Sequence, residues 1–321
     1  MMYDSHVDTP SELLRLRDLS IDNKDGQVDF PKLRRGGVDG SFFALYTPAE
    51  LSTEDACYRA LQMISAVNDV IEDSDGKVVL TCTPAQAAEN KEKGVFSIFL
   101  GMENGSPIGE SLSLLRLFYG LGTRYLTLTH NGDNAIADSA AEGKTWGGLS
   151  PFGREVVAMM NRLGMMVDLS HASDATFWDC IKYSKAPVVA THSCCRAICS
   201  HRRNLTDDML RALADVDGYM GINFYPYFLS DAYQGEGTPL PGVKEIVDHI
   251  DHAVEICGIT HVGIGSDFDG IEVTPAGLED VSKMPLVFDE MRRRGYSQEQ
   301  INLVSGANLM SVLDRVIKRS E

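Results

Sequence analysis

The chain has 321 residues, 44% of them hydrophobic, which is enough for one large core and fits a single domain spanning residues 1–321. Its 29 basic and 46 acidic residues leave a formal charge of −17, so phosphate backbones and anionic lipid are repelled, and neither a nucleic-acid nor a membrane partner is expected. Seven cysteines, two of them adjacent, form no disulfide framework; with no charged n-region or apolar h-region in residues 1–10 and no apolar run of membrane-spanning length, the expectation is a cytoplasmic globular protein.

One pattern recurs along the chain: a short apolar run rich in β-branched residues, then polar residues, then a helical segment. The first run is a stub, Met1–Ser5, leading into His6 and Asp8. The second is Val38–Thr47; after it Ser52 or Thr53 caps a helix to about Asp73, with Leu61, Ile64, Val67 and Ile71 on one face. Residues 77–81 (KVVLT) predict an extra short strand before a helix at Pro84–Lys93. The third run, Val95–Leu100, is followed by Glu103, and the fourth, Arg124–Thr129, by His130. Ser150 and Pro151 supply a cap and first-turn proline for a helix carrying Val156, Met159, Met160 and Leu163. The fifth run, Met165–Ser170, ends at His171, and the sixth, Pro187–Thr191, at His192. A helix over Leu205–Val216 precedes the seventh run, Tyr219–Phe224. A helix over Val243–Cys257 holds His249 and His252, both expected at the surface, and the eighth run, His261–Ser266, ends at Asp267. Leu286–Arg294 is helical, and Ser297–Lys318 forms one or two helices packed outside the sheet.

Strands alternating with helices predict a parallel sheet, and eight such units predict an α/β fold of the (β/α)8 TIM-barrel type. In that architecture the residues just beyond the strands' C-terminal ends converge on one mouth. His6, Asp8, Glu103, His130, His171, His192 and Asp267 all hold such positions. One histidine at a strand end is most simply a satisfied core residue; four histidines and three carboxylates at the same end argue for a site.

His6 and Asp8, two apart in extended backbone, point to the same side and can reach one cation. Imidazole nitrogen and carboxylate oxygen suit zinc or a similar divalent ion. Glu103, His171 and His192 supply a second ligand set, and a carboxylate such as Glu103 can bridge two ions roughly 3.5–4 Å apart that acidify a shared water. A rival site, Cys194, Cys195, Cys199 and His201 near His192, lacks the paired spacing of a zinc knuckle and reads as small buried residues. Arg202 and Arg203 fit an ordinary charged loop or a bidentate clamp for a carboxylate, and spacing alone does not choose.

Several segments resemble the membrane (renal) dipeptidase family of zinc metallopeptidases: SHVDT from Ser5, GMENG from Gly101, LTLTHN from Leu126, FGREVV from Phe152, MMNRLGMMVDLSH from Met159, the stretch from His192 to Asn204, GIGSDFDG from Gly263 and GLEDVSK from Gly277. The resemblance runs from about residue 4 to 315 and agrees in order and approximate spacing. It implies a metal-dependent hydrolase barrel cleaving dipeptides, often with a D-residue at the C-terminal position. It implies that His6 and Asp8 bind one zinc and His171 and His192 another, so two Zn2+ per chain, with Glu103 bridging; other divalent metals are compatible. By the same resemblance His130 contacts substrate and stabilises the oxyanion, Arg203 binds the substrate carboxylate, Asp267 carries the proton from water to the leaving amine, and Tyr227 lines the pocket. A homodimer is compatible with the chain. The secretion signal, lipid anchor and disulfides of mammalian members are not expected here. The loops at residues 103–107 and 226–241 depart from the family pattern, which bears on the substrate side chain and not on the metal ligands. The competing functions are a metal-dependent amidohydrolase acting on N-acyl amino acids or lactones, separable by a free α-amine requirement, and a non-catalytic binding protein on the same barrel, against which the full ligand set speaks.

Overall fold

The computed structural model describes residues 1–141 and 144–320. Among the described residues there are nine strands: β1 (Tyr3–Val7), β2 (Gly40–Tyr46), β3 (Val78–Leu80), β4 (Phe96–Glu103), β5 (Thr123–Thr127), β6 (Met166–Asp168), β7 (Val188–Ser193), β8 (Tyr219–Ile222) and β9 (Val262–Ile264). Every ladder is parallel, in the order β1-β2-β4-β5-β6-β7-β8-β9. The extra strand β3 pairs with residues 96–98 of β4, below the level at which β5 begins its own pairing with Leu100–Glu103. The last seam, between β9 and β1, has no ladder. Backbone bonds from Asp267 N–H to the His6 carbonyl (3.0 Å) and from Asp8 N–H to the Phe268 carbonyl (2.9 Å) close it, together with the Ser5 hydroxyl on the Ile264 carbonyl. The two chain ends that carry His6, Asp8 and Asp267 are therefore stitched to one another. The fold is the expected (β/α)8 barrel.

The helices follow the capping signals. Ser52 accepts from Asp55 N–H ahead of the helix Thr53–Glu72, and Ser150 accepts from Gly153 N–H ahead of Pro151–Leu163. In the first of these the buried stripe is Ala56, Ala60, Met63, Ile64 and Val67, while Leu61 is 39% exposed. Ile64 and Val67 of the expected face are buried, and the face is shifted from Leu61 toward Ala56, Ala60 and Met63. The helix Val243–Cys257 has the expected bounds, but His249 is fully buried, not at the surface. Its Nδ1 accepts from Cys195 N–H and its Nε2 lies 3.1 Å from the Leu229 carbonyl, so both nitrogens are satisfied and burial holds its pKa down at about 4. His252 is part-exposed and meets Asp207.

Two apolar layers result. The larger lies between strands and surrounding helices. The smaller fills the barrel with Tyr3, Phe42, Phe99, Tyr125, Met166, Val189 and Tyr219, and continues into Leu309, Met310, Val312, Leu313 and Val316 of the helix Asn308–Lys318. The C-terminal helix therefore seals one end of the barrel. Within that layer Gly101 is required: a Cβ there would stand 1.9 Å from the Tyr125 ring. Among the described residues no helix is long and apolar enough to cross a membrane.

Candidate metal centre

The open end of the barrel is built from strand termini that turn abruptly. Asn104, His171, Asp267 and Asp269 all have φ between 66° and 80°, the left-handed region that non-glycine residues seldom occupy. Asn104 directly follows Glu103, His171 is itself a candidate ligand and Asp267 is the candidate proton carrier, so the left-handed turns fall on the site residues themselves.

Glu103, at the tip of β4, sits in the middle. Its Oε2 is 3.5 Å from His6 Nε2, and its Oε1 is 3.2 Å from His171 Nε2, 3.7 Å from His192 Nε2 and 4.0 Å from His130 Nε2. One oxygen thus faces the His6 side and the other the His171–His192 side. Asp8 Oδ2 is 3.3 Å from His6 Nε2. His6, Asp8, Glu103, His171 and His192 are buried, and His130 is partly buried.

Each histidine is held by its other nitrogen. His6 Nδ1 meets the Tyr125 phenol at 2.8 Å, His171 Nδ1 meets Asn131 Oδ1 at 3.2 Å, and His192 Nδ1 meets Thr191 Oγ1 at 2.9 Å. That arrangement frees Nε2 in each case, as metal-ligating histidines require. His171 Nε2 and His192 Nε2 then face one another at 3.0 Å, close enough for one cation to be held by both. Burial, and next the positive charges nearby, push both rings well below the usual histidine pKa, so neither is charged. Burial acts the same way on His6, but Glu103 and Asp8 outweigh it and raise His6 well above its ordinary value. His6 Nε2 and Asp8 Oδ1 are also buried without a hydrogen-bond partner. Orphaned buried polar atoms of this kind are costly in an apolar interior, and a divalent ion satisfies all of them at once. The residues fit the group.

Around this cluster lie the other candidates. Asp267 Oδ1 is 3.8 Å from His6 Nε2, while Oδ2 accepts from Asn223 Nδ2 at 2.9 Å. Burial lifts its pKa to about 7 against the pull of His6 and Arg203. Asp269 points away, bound to Arg17 Nη1 (2.6 Å) and the Thr9 hydroxyl (2.9 Å). Arg203 is buried; Nη2 donates to the His192 carbonyl at 3.4 Å and Nε has no partner. Among the described residues no carboxylate comes within ion-pair distance of it, and burial lowers its pKa to about 10. His130 packs edge-on against Tyr46 and beside His171, with its pKa lowered by burial to about 3.

Comparisons with known proteins show the family to which the chain belongs. The sequence profile of the membrane dipeptidase family (peptidase family M19) matches residues 1–321. The chain belongs to the membrane dipeptidase family. It is a metal-dependent dipeptidase, a hydrolase. It is 36% identical over 330 residues to an uncharacterized dipeptidase of Schizosaccharomyces pombe, covering 97% of this chain and 80% of that protein. It is 39% identical over 300 residues to the dipeptidase aclJ of Aspergillus oryzae, covering 91% and 70%. Among solved structures, a metallopeptidase from Rhodobacter sphaeroides liganded with a phosphinate mimic of the dipeptide L-Ala-D-Ala superposes with a TM-score of 0.89 at 29% identity, covering 98% of this chain and 99% of that one.

Within this dipeptidase barrel, the residues singled out from sequence do not all meet. The five candidate ligands, His130, Asp267 and Arg203 come together at the mouth. Tyr227, in the short helix Pro226–Leu229, packs tilted against Tyr225 and edge-on against Tyr233 and lines a separate recess of about 410 Å³ beside His201 and Arg202. The cysteines are not metal ligands: Cys194, Cys195 and Cys199 thiols point at the carbonyls of Asn223, His249 and Tyr227, and burial pushes all three above the ordinary thiol range. Sequence reasoning missed the residues behind the ligands, namely Tyr125, Asn131, Asp168, Thr191 and Asn223. Asp168 carried a signal, since it is a charged residue inside an apolar strand run; Asn131 and Asn223 sit at strand ends but resemble ordinary loop polarity.

Proposed function

We propose that His6 and Asp8 hold one divalent ion, His171 and His192 a second, and that Glu103 bridges them, zinc being the metal. The observation that carries this reading is the split of the Glu103 carboxylate, one oxygen toward His6 and the other toward His171 and His192. When bound, such a pair supplies a water acidic enough to attack an amide at neutral pH. The chain's own residues do the rest. Arg203, a buried cation with no carboxylate partner, binds the dipeptide's free carboxylate and sets the register of the scissile bond. His130, held neutral by burial, donates to the oxygen that develops charge as the carbonyl is attacked. Asp267, anchored by Asn223, accepts a proton from the attacking water and passes it to the leaving amine, so that water and dipeptide yield two amino acids. Tyr227 lines the recess beside His201 and Arg202, apart from the mouth, and is given no part in this reading. The phosphinate mimic of L-Ala-D-Ala bound by the Rhodobacter sphaeroides relative supports substrates of the L-Xaa-D-Xaa kind, and L-Xaa-L-Xaa dipeptides are included in this reading as the second class to test. Residues 1–321 act as one barrel unit, and seven free cysteines fit a reducing, cytoplasmic setting.

The test is a substrate panel on the purified protein: L,L and L,D dipeptides, their N-acyl forms and their C-terminal amides. Free dipeptides are expected to be hydrolysed, and blocking either end is expected to lower kcat/KM strongly. Equal rates on N-acyl amino acids would move the assignment to the amidohydrolase reading.

A further inference from the structure

Asp168 is fully buried inside the barrel at the end of β6, and no part of the mechanism above uses it. It forms no ion pair among the described residues. Its carboxylate is instead saturated by four donors. Oδ1 accepts from Ser170 N–H (3.1 Å) and Thr191 N–H (2.8 Å), and Oδ2 accepts from the hydroxyls of Thr127 (2.5 Å) and Thr191 (2.7 Å). Those donors come from β5, from the loop that carries His171 and from β7, next to His192. The same Ser170 accepts through its hydroxyl from His192 N–H at 3.0 Å.

Donor counting then decides the state of His192. Thr191 has one hydroxyl proton and three polar neighbours: Asp168 Oδ2 at 2.7 Å, His192 Nδ1 at 2.9 Å and, at the 3.5 Å limit, the Ser170 hydroxyl, which can itself donate to Thr191. A carboxylate only accepts, so the hydroxyl proton goes to Asp168; turned the other way, two oxygen lone pairs would face each other at 2.7 Å. The Thr191 oxygen must then accept from His192, which places the ring proton on Nδ1 and leaves Nε2 bare. We propose that Asp168, acting through the Thr191 hydroxyl, is a positioning residue that fixes the tautomer of His192 and so presents its Nε2 lone pair to a divalent cation. This rests on the reading of His192 as a metal ligand. A ligating histidine commonly has a carboxylate directly behind it; here one hydroxyl is interposed. The relay also explains why an unpaired carboxylate is kept in the barrel interior, since the cation beyond His192 is its counter-charge.

The relay makes opposite demands on two variants. Thr191→Val keeps the shape and removes the hydroxyl, so His192 is no longer forced into one tautomer. Asp168→Asn turns the relay around: an amide donates to Thr191 Oγ1, the hydroxyl proton swings to His192 Nδ1, and the ring proton moves to Nε2, where it blocks the metal. Thr191→Ser retains the relay. The experiment has two readouts. Zinc affinity of each purified protein is measured by competition with a chelator of known strength. The His192 tautomer is read from ring 15N shifts in metal-free, 15N-histidine-labelled protein, the signal being assigned by its loss in His192→Asn. Expected are an Nδ1-protonated His192 in the native chain, zinc affinity lowered about 10–100-fold in Thr191→Val and Asp168→Asn, and near-native affinity in Thr191→Ser. Lowered thermal stability with unchanged zinc affinity and tautomer would make the network merely structural and overturn the proposal. Where a variant fails to fold, the tautomer of the native metal-free chain still decides: a proton on Nε2 refutes the relay. A native chain that binds no zinc refutes the metal assignment instead, leaving the tautomer result to stand by itself.

Discussion

The two ends of this barrel are built on opposite terms. At the base, Tyr3, Phe42, Phe99 and Tyr219 pack into the helix Asn308–Lys318, with Phe42 and Phe99 stacked at 4.8 Å. At the mouth, the other four candidate ligands gather round Glu103, the Nε2 atoms of His171 and His192 face each other at 3.0 Å, and backbone φ values are left-handed. The base satisfies its groups locally and contributes stability. The mouth leaves groups unsatisfied, so that their satisfaction depends on an ion and a substrate. A barrel permits this because its two ends are separated by the packed interior, so strain at one is offset by burial at the other.

Substitutions should therefore sort by end. The largest effect is expected at Glu103: Glu103→Gln keeps the size but halves the bridging capacity, and metal content by elemental analysis should fall together with all dipeptidase activity. Asp267→Asn comes next. It cannot accept the proton, so kcat should drop by roughly 10²–10⁴ with metal content retained, whereas Asp269→Asn, whose partners are Arg17 and Thr9, should act through loop stability. If Asp269→Asn abolished kcat and Asp267→Asn did not, the roles would be reversed. Arg203→Ala should raise KM for free dipeptides by an amount worth roughly 2–5 kcal/mol while leaving C-terminal amides almost untouched. At the base, Leu313→Ala should cost about 2–5 kcal/mol of unfolding free energy in denaturant melts, with kcat unchanged. The smallest effect belongs to Leu61→Ala on the exposed edge of the helix Thr53–Glu72, expected within about 0.5 kcal/mol.

Much of this division was legible before any coordinates. All eight barrel runs and the extra strand at residues 77–81 correspond to observed strands, because parallel strands buried on both faces read as apolar runs and their polar terminators mark the mouth. The candidate ligands were legible for the same reason: each lies at the C-terminal end of an apolar run, His6, Glu103 and His192 in the last residues of their strands and Asp8 and His171 just beyond theirs. The supporting residues were not. Thr191 and Tyr125 look like ordinary strand residues, and only the cross-barrel register reveals that they stand behind His192 and His6. His249 misled because helical position does not show which way a side chain turns, and a histidine with two backbone partners is as easily buried as exposed. Tyr227 was assigned through a loop that departs from the family pattern, and there spacing gives little purchase on three-dimensional position.

The central claim is that the mouth is a two-ion site built around Glu103. Metal-free protein, prepared with chelator, is titrated with zinc while dipeptide hydrolysis and bound metal are followed together. The account predicts no hydrolysis without metal, recovery on zinc addition, and saturation close to two ions per chain. Undiminished hydrolysis by fully metal-free protein, or full recovery at a single ion, would contradict it.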